Sequence, residues 1–219
     1  MIIIGLTGKI GSGKTTTSKI VKELGYKVFD CDECSRNLIN SKKVINQIKT
    51  EFKESGGFFI NKSEINKDIF GNYLFSNPDE LFKLEKILHP LIKKEEKKFI
   101  FESSLNNNDA VFLDIPLLFE KSNFLRCDYI IYTYVNKSIQ KQRVIRRKNM
   151  NKAKFLNILN KQEFNSLKIE KVIDLKINTG NGTHYVRKKL INFLNKTKKE
   201  KIKKIWPIRY NYYNYGKWE

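Results

Sequence analysis

Apolar positions begin at once: Ile2 to Leu6 is a short run dominated by β-branched residues and closed by glycine, a pattern that predicts a strand buried on both faces. After Gly8, Gly11 and Gly13 the apolar spacing changes, and Ile20, Val21 and Leu24 predict a helix stopped by Gly25. Tyr26 to Phe29 predicts a second strand ending at Asp30, which completes a βαβ unit. Strand-like runs recur at Val111 to Leu113, Tyr129 to Val135 and Val172 to Ile177, with helical stretches between them. Such alternation predicts an α/β fold: a mostly parallel five-stranded sheet between two layers of helices.

About eighty residues separate the second strand from the third, too many for one crossover helix. Their helical spacing at Leu74, Phe75, Leu81, Leu84, Leu88 and Leu91, with a turn at Gly56-Gly57, predicts a helical insertion over the carboxyl edge of the sheet, where α/β proteins place ligands. Ser138 to Leu167 is also helical in pattern and rich in Lys and Arg, which suits a mobile lid. The expected organisation is a core of residues 1–35, 108–137 and 168–198, an acceptor-binding insertion of 36–107, a lid of 138–167 and a basic aromatic tail of 199–219.

Composition narrows the class. With 219 residues, 40% apolar and 30% charged, the chain is long enough to bury a core and too apolar for disorder. No apolar run approaches the ~20 residues of a membrane span. MIIIGLTGK lacks the features of a secretory signal, so a cytoplasmic location is expected. The net charge of +20 favours polyanionic partners, discounted by a lysine and asparagine excess spread along the whole chain. Cys31 and Cys34 have C-x-x-C spacing, but Cys127 is distant and only His89 and His184 could complete a ligand set, so ligand counting argues against a zinc or redox site.

The strongest chemical signal is Gly8-Lys9-Ile10-Gly11-Ser12-Gly13-Lys14-Thr15, a match to G-x-x-x-x-G-K-[ST] placed between a strand and a helix. Backbone N–H groups of such a loop, with the helix dipole behind them, bind phosphate oxygens. Lys14 then bridges the β- and γ-phosphates of a nucleoside triphosphate, and the Thr15 hydroxyl holds magnesium. Parallel strands end on the same sheet edge, which brings Asp30, Asp32 and Asp114 towards the phosphates. One of these carboxylates is expected to serve as base and another to hold magnesium, although an Asp after a strand is commonly a helix cap. Arg143 and Arg147 are four apart and predicted to share a helix face, either bracing the transferring phosphoryl group or forming a solvated basic surface.

Beyond the loop, several motifs resemble those of dephospho-CoA kinases, a family of P-loop kinases. GLTGKIGSGKT is similar to the family's opening, Asp30-Cys31-Asp32 with Arg36 to its D-x-D-x-x-x-R, and Leu84-Glu85 through His89-Pro90 to its L-E-x-x-x-H-P. Asp114 to Glu120 resembles D-x-P-L-L-x-E, Gln140, Arg143 and Arg147 fall on Q-x-x-R-x-x-x-R, and Asn178-Thr179-Gly180 on N-x-G. The resemblance implies a P-loop NTPase-type fold and an enzyme using ATP and magnesium to phosphorylate the 3′-hydroxyl of dephospho-CoA. It implies that Gly11, Ser12, Gly13, Lys14, Thr15 and Thr16 bind ATP together with Arg147, Asn178 and Gly180. Asp32 becomes the base, Arg143 a catalytic lid arginine, Arg36, His89 and Lys67 acceptor-side residues, and Thr15 with Asp114 the magnesium side.

Three positions depart from the family pattern. Lys9 replaces a loop glycine, and a positive φ there would weaken ATP binding. Lys67 stands where the family has Arg, and an Asp ahead of the last strand is displaced around Ile173-Asp174. Two other readings stay open: a P-loop kinase for another nucleoside, nucleotide or small alcohol, and a nucleic-acid-binding protein using the tail aromatics Trp206, Tyr210, Tyr212, Tyr213, Tyr215 and Trp218. The expected partner is a small-molecule substrate, with no membrane and a monomer or small homo-oligomer.

Overall fold

The computed structural model describes residues 1–53, 59–61, 64–116, 118–148, 150–162 and 170–199. The expected turn at Gly56-Gly57, the last residues of the lid segment and the tail from residue 200 lie outside this set.

Strand β1 (Ile2–Gly8) leads through the glycine-rich loop into helix α1 (Lys14–Glu23). Gly25, at φ 87°, ends α1: its N–H bonds Lys22 O and that of Tyr26 bonds Val21 O, which together satisfy carbonyls of the last turn. Because Tyr26 spends its N–H on the helix, strand β2 begins one residue later than its pattern suggests, at Lys27–Asp30. Helices α2 (Cys31–Ile39) and α3 (Lys42–Glu51) follow, then a two-stranded antiparallel hairpin, β3 (Ile60–Asn61) and β4 (Glu64–Ile65). Helices α4 (Lys67–Ser76) and α5 (Pro78–Leu105), the latter with Pro90 inside it, lead to strand β5 (Ala110–Asp114). Strand β6 (Tyr129–Tyr134), helices α6 (Lys137–Ile145) and α7 (Lys152–Lys161), strand β7 (Leu175–Asn178) and helix α8 (Thr183–Lys199) complete the order.

The main sheet has five strands in the order β2-β5-β1-β6-β7, as the alternation predicts. Parallel pairing joins β1 to β5, β1 to β6 and β6 to β7. All of β5 is buried, the expected environment of a central strand covered on both faces. Strand β7 starts later than Val172 because Asp174 takes over the pairing. Its side chain accepts from Ile130 N at 2.7 Å and its own N–H bonds Ile130 O.

The chain divides into two compact units, residues 1–29 with 103 onward and residues 30–102. Each unit has its own core. In the first, Ile4, Leu6, Val21, Phe112, Ile131, Ile177 and Leu190 pack between sheet and helices. In the second, Val44, Ile48, Phe52, Phe59, Phe70, Leu84 and Leu88 form a separate cluster. Phe52 meets Phe59 and Phe70 edge to face at 6.1 and 5.5 Å, each such pair worth about 1 kcal/mol beyond its buried area. No described helix is long and apolar enough to cross a membrane.

Candidate active site

The loop between β1 and α1 is built to receive an anion. Gly11 and Gly13 have φ of 74° and 88°, left-handed conformations that turn successive peptides inward. Five other helices are closed at their N-termini by side chains: Asp30, Ser41, Asn66, Asn136 and Asn151 cap α2, α3, α4, α6 and α7. Helix α1 has Gly13 at this position, no side-chain cap and no acidic residue in its first turn. Its leading N–H groups and dipole therefore face outward for a negative ligand. Lys14, Thr15 and Thr16 form that first turn, with both threonines exposed.

Neighbouring elements hold the loop from several sides. Ile10 is gripped at both ends of its backbone: Gln140 of α6 donates to its carbonyl at 2.7 Å, and its N–H donates to Gln162 Oε1 at 2.9 Å. Thr133 at the end of β6 donates to Thr7 O at 3.1 Å, which uses its single hydroxyl proton. Ser12 Oγ, 2.8 Å from Thr133 Oγ1, is therefore the donor between the two hydroxyls. After β7, Thr179 donates to Ser12 O at 2.6 Å and receives Arg143 Nη1 at 2.8 Å.

Asp114, at the end of β5 and only 2% exposed, is paired with Lys14 Nζ. Lys14 and the carboxylate at the end of β5 are thus brought together. Arg143 is half-buried on α6 and bound to Thr179, whereas α6 ends at Ile145 and leaves Arg147 in the following turn, exposed. The helix face expected to carry both arginines does not extend that far. Asn178 caps the 3₁₀ turn Thr179–Asn181 by accepting Gly180 N at 3.0 Å.

In the second unit Asp32 lies in the first turn of α2 and Arg36 one turn later on the same helix, both exposed. The cap of α2 is Asp30, which accepts Glu33 N at 2.9 Å, so capping accounts for Asp30 and not for Asp32. His89 is half-buried on α5 directly before Pro90, and Lys67 is the first residue of α4. The Cys34 thiol on α2 is pushed up from 9.0 to about 11, first by burial and then by the charges of Glu95, Glu96 and Asp30. That suppresses the reactive thiolate. Its stabilising contribution is complete below pH 9 and is lost as pH rises towards 11. At about pH 8, alkylation of Cys34 followed by mass spectrometry is expected to be slower in the folded protein than in denaturant. Equal rates would contradict this environment.

A family model described as dephospho-CoA kinase matches residues 2–182. The chain belongs to the dephospho-CoA kinase family. A dephospho-CoA kinase from Bartonella quintana is 38% identical over 180 residues, covering 82% of this chain and 90% of the relative. One from Agrobacterium fabrum is 34% identical over 196 residues, covering 90% and 98%. Among solved structures, the dephospho-CoA kinase of Campylobacter jejuni superposes with a TM-score of 0.65 at 22% identity, covering 89% of this chain and 96% of its own. A crystal structure from Thermus thermophilus superposes with a TM-score of 0.71 at 24% identity, covering 90% and 97%. These two superpositions show the fold.

Two departures from the family pattern acquire a physical account. Asn107 is the only described non-glycine residue with positive φ, so Lys9 sits in the loop without left-handed strain. Asp174 is a structural residue, holding β7 to β6 through Ile130 N. The N-x-G motif includes Thr179 without giving its side chain a partner, and the sequence marks neither Thr133 nor Gln162. Their partners in the loop are more than a hundred positions away.

Proposed function

We propose that this protein transfers the γ-phosphoryl group of ATP to the 3′-hydroxyl of the ribose of dephospho-CoA, giving coenzyme A and ADP in the cytoplasm. The observation that carries this reading is the family match over residues 2–182, which spans the uncapped phosphate loop, the Asp32 and Arg36 motif and the turn after β7. The triphosphate lies in the loop against the N–H groups of Gly11 to Thr16, with Arg147, Asn178 and Gly180 on the nucleotide side. Lys14 turns from Asp114 to the β- and γ-phosphates as they arrive. Asp32 accepts the proton of the 3′-hydroxyl as its oxygen forms a bond to the γ-phosphorus. The bond from that phosphorus to the β–γ bridging oxygen breaks, and ADP leaves. Arg143 stabilises the equatorial oxygens, and Arg36, His89 and Lys67 serve the acceptor.

Magnesium fits the donors present. Thr15 offers a hydroxyl and Asp114 a carboxylate, hard oxygen ligands of the kind that supplement water and phosphate around this ion. Held by Thr15 and Asp114, magnesium would neutralise negative charge on the triphosphate.

The test is ADP release from ATP with dephospho-CoA, beside AMP, adenosine and pantetheine as rival acceptors, with the product phosphate located by mass and NMR. Turnover confined to dephospho-CoA with a 3′ product is expected. Preferred turnover of a rival would overturn the substrate while keeping the phosphoryl chemistry.

A further inference from the structure

We infer that Thr179 is a positioning residue for phosphoryl transfer, holding the Arg143 guanidinium in one orientation and tying it to the Ser12–Gly13 peptide of the phosphate loop. The inference rests on the kinase reading above.

Thr179 is 7% exposed and is not the cap of its own turn, a role Asn178 fills. Its one hydroxyl proton goes to Ser12 O at 2.6 Å, since the other acceptor in range, Tyr134 O, is at 3.5 Å. A lone pair then remains for Arg143 Nη1 at 2.8 Å, while the Thr179 carbonyl receives Nη2 at 3.2 Å. Two bonds from one planar fork to one residue fix the plane of the guanidinium as well as its position. The side chain itself is wedged against the loop. A Cβ built on Gly13 would lie 2.6 Å from Thr179 Oγ1, 2.8 Å from its Cβ and 2.9 Å from its Cγ2. Thr179 therefore registers two groups on one point, the arginine and the loop peptide that precedes Lys14.

The chemical consequence is preorganisation. A long arginine side chain is ordinarily mobile, and ordering it at the moment of reaction opposes catalysis. Bound to Thr179 it is ordered beforehand, and its remaining N–H donors keep a set direction for developing charge on the phosphoryl oxygens. Valine at position 179 would keep the shape and the wedge against Gly13 but leave both Arg143 Nη1 and Ser12 O without the hydroxyl. Serine would keep the hydroxyl and lose only the methyl.

The test uses the full chain and a double-mutant cycle of Thr179→Val and Arg143→Ala, with Thr179→Ser as the rescue, reading kcat and KM for ATP and a thermal melt for each variant. Thr179→Val is expected to lower kcat about 10- to 100-fold with a smaller change in KM, because a misplaced group costs rate more than ground-state binding. Thr179→Ser is expected to recover kcat to within a few-fold. With Arg143 already removed, Thr179→Val is expected to cost far less than it does alone, since the two act as a unit. Equal loss of kcat in both backgrounds, or an unchanged kcat in Thr179→Val, would overturn the inference. Should Thr179→Val not fold, Arg143→Lys serves instead. An ammonium cannot span both Thr179 acceptors in the same plane, so kcat should fall nearly as far as in Arg143→Ala, and near-wild-type kcat would refute the role. Failure of the kinase reading is distinct from all of these, because the unmodified chain would then not phosphorylate dephospho-CoA.

Discussion

Lys14→Ala is expected to abolish useful ATP binding and turnover together. The lysine is the one side-chain cation of the loop motif placed at the start of α1, where the β- and γ-phosphates are to lie. Losing that contact in both ground and transition states should lower kcat/KM by at least about 10²- to 10³-fold. It should also cost stability, because Lys14 and Asp114 are paired with side chains only 14% and 3% exposed. Removing the ammonium from a buried carboxylate costs on the order of 3 kcal/mol, or about 6–12 °C in Tm for a chain of this size. Calorimetry and nucleotide titration separate the two effects. The double variant Lys14→Ala with Asp114→Asn should regain most of the melting temperature and none of the turnover. A single variant that still binds ATP within a few-fold of the parent would remove Lys14 from the phosphate site.

Asp32→Asn is expected to leave ATP binding nearly intact and to lower kcat by about 10²- to 10⁴-fold, the usual contribution of a general base. Asparagine keeps the size and polarity of the side chain but cannot take the ribose proton. The fold should tolerate the change, since Asp30 supplies the cap of α2 and an exposed charge in a first helical turn contributes less than about 1 kcal/mol. The pair of variants is diagnostic in combination: one damages binding and turnover, the other turnover alone. Near-wild-type kcat in Asp32→Asn would require a different base.

Differences between pattern and structure follow from the range over which each signal acts. Arg143 and Arg147 were expected on one helix face from their four-residue spacing, yet α6 closes at Ile145. The hairpin β3–β4 has two residues per strand, too few for an alternation to register. The segment expected to be a lid contributes Gln140 and Val144 as buried residues of α6, with Gln140 bonded to the phosphate loop. Charge along that segment is visible in sequence; the side of it that packs inward is not. The tail aromatics, read as a nucleic-acid surface in one alternative, lie outside the described residues.

By itself the sequence determined the βαβ start, the phosphate loop, the parallel α/β class and the family, because each is carried by residues close together or by motifs spaced along one chain. Ile2 to Leu6, Gly8 to Thr15 and Gly25 act locally, through buried β-branched strands, backbone turns and a helix stop. Only the tertiary structure decided which carboxylate caps α2, which one faces Lys14, and that Thr179 holds both Arg143 and Ser12, the latter 167 positions away in sequence. The physical reason is that a hydroxyl has no sequence signature for its partner: its single proton goes to whichever acceptor the packed chain leaves within reach.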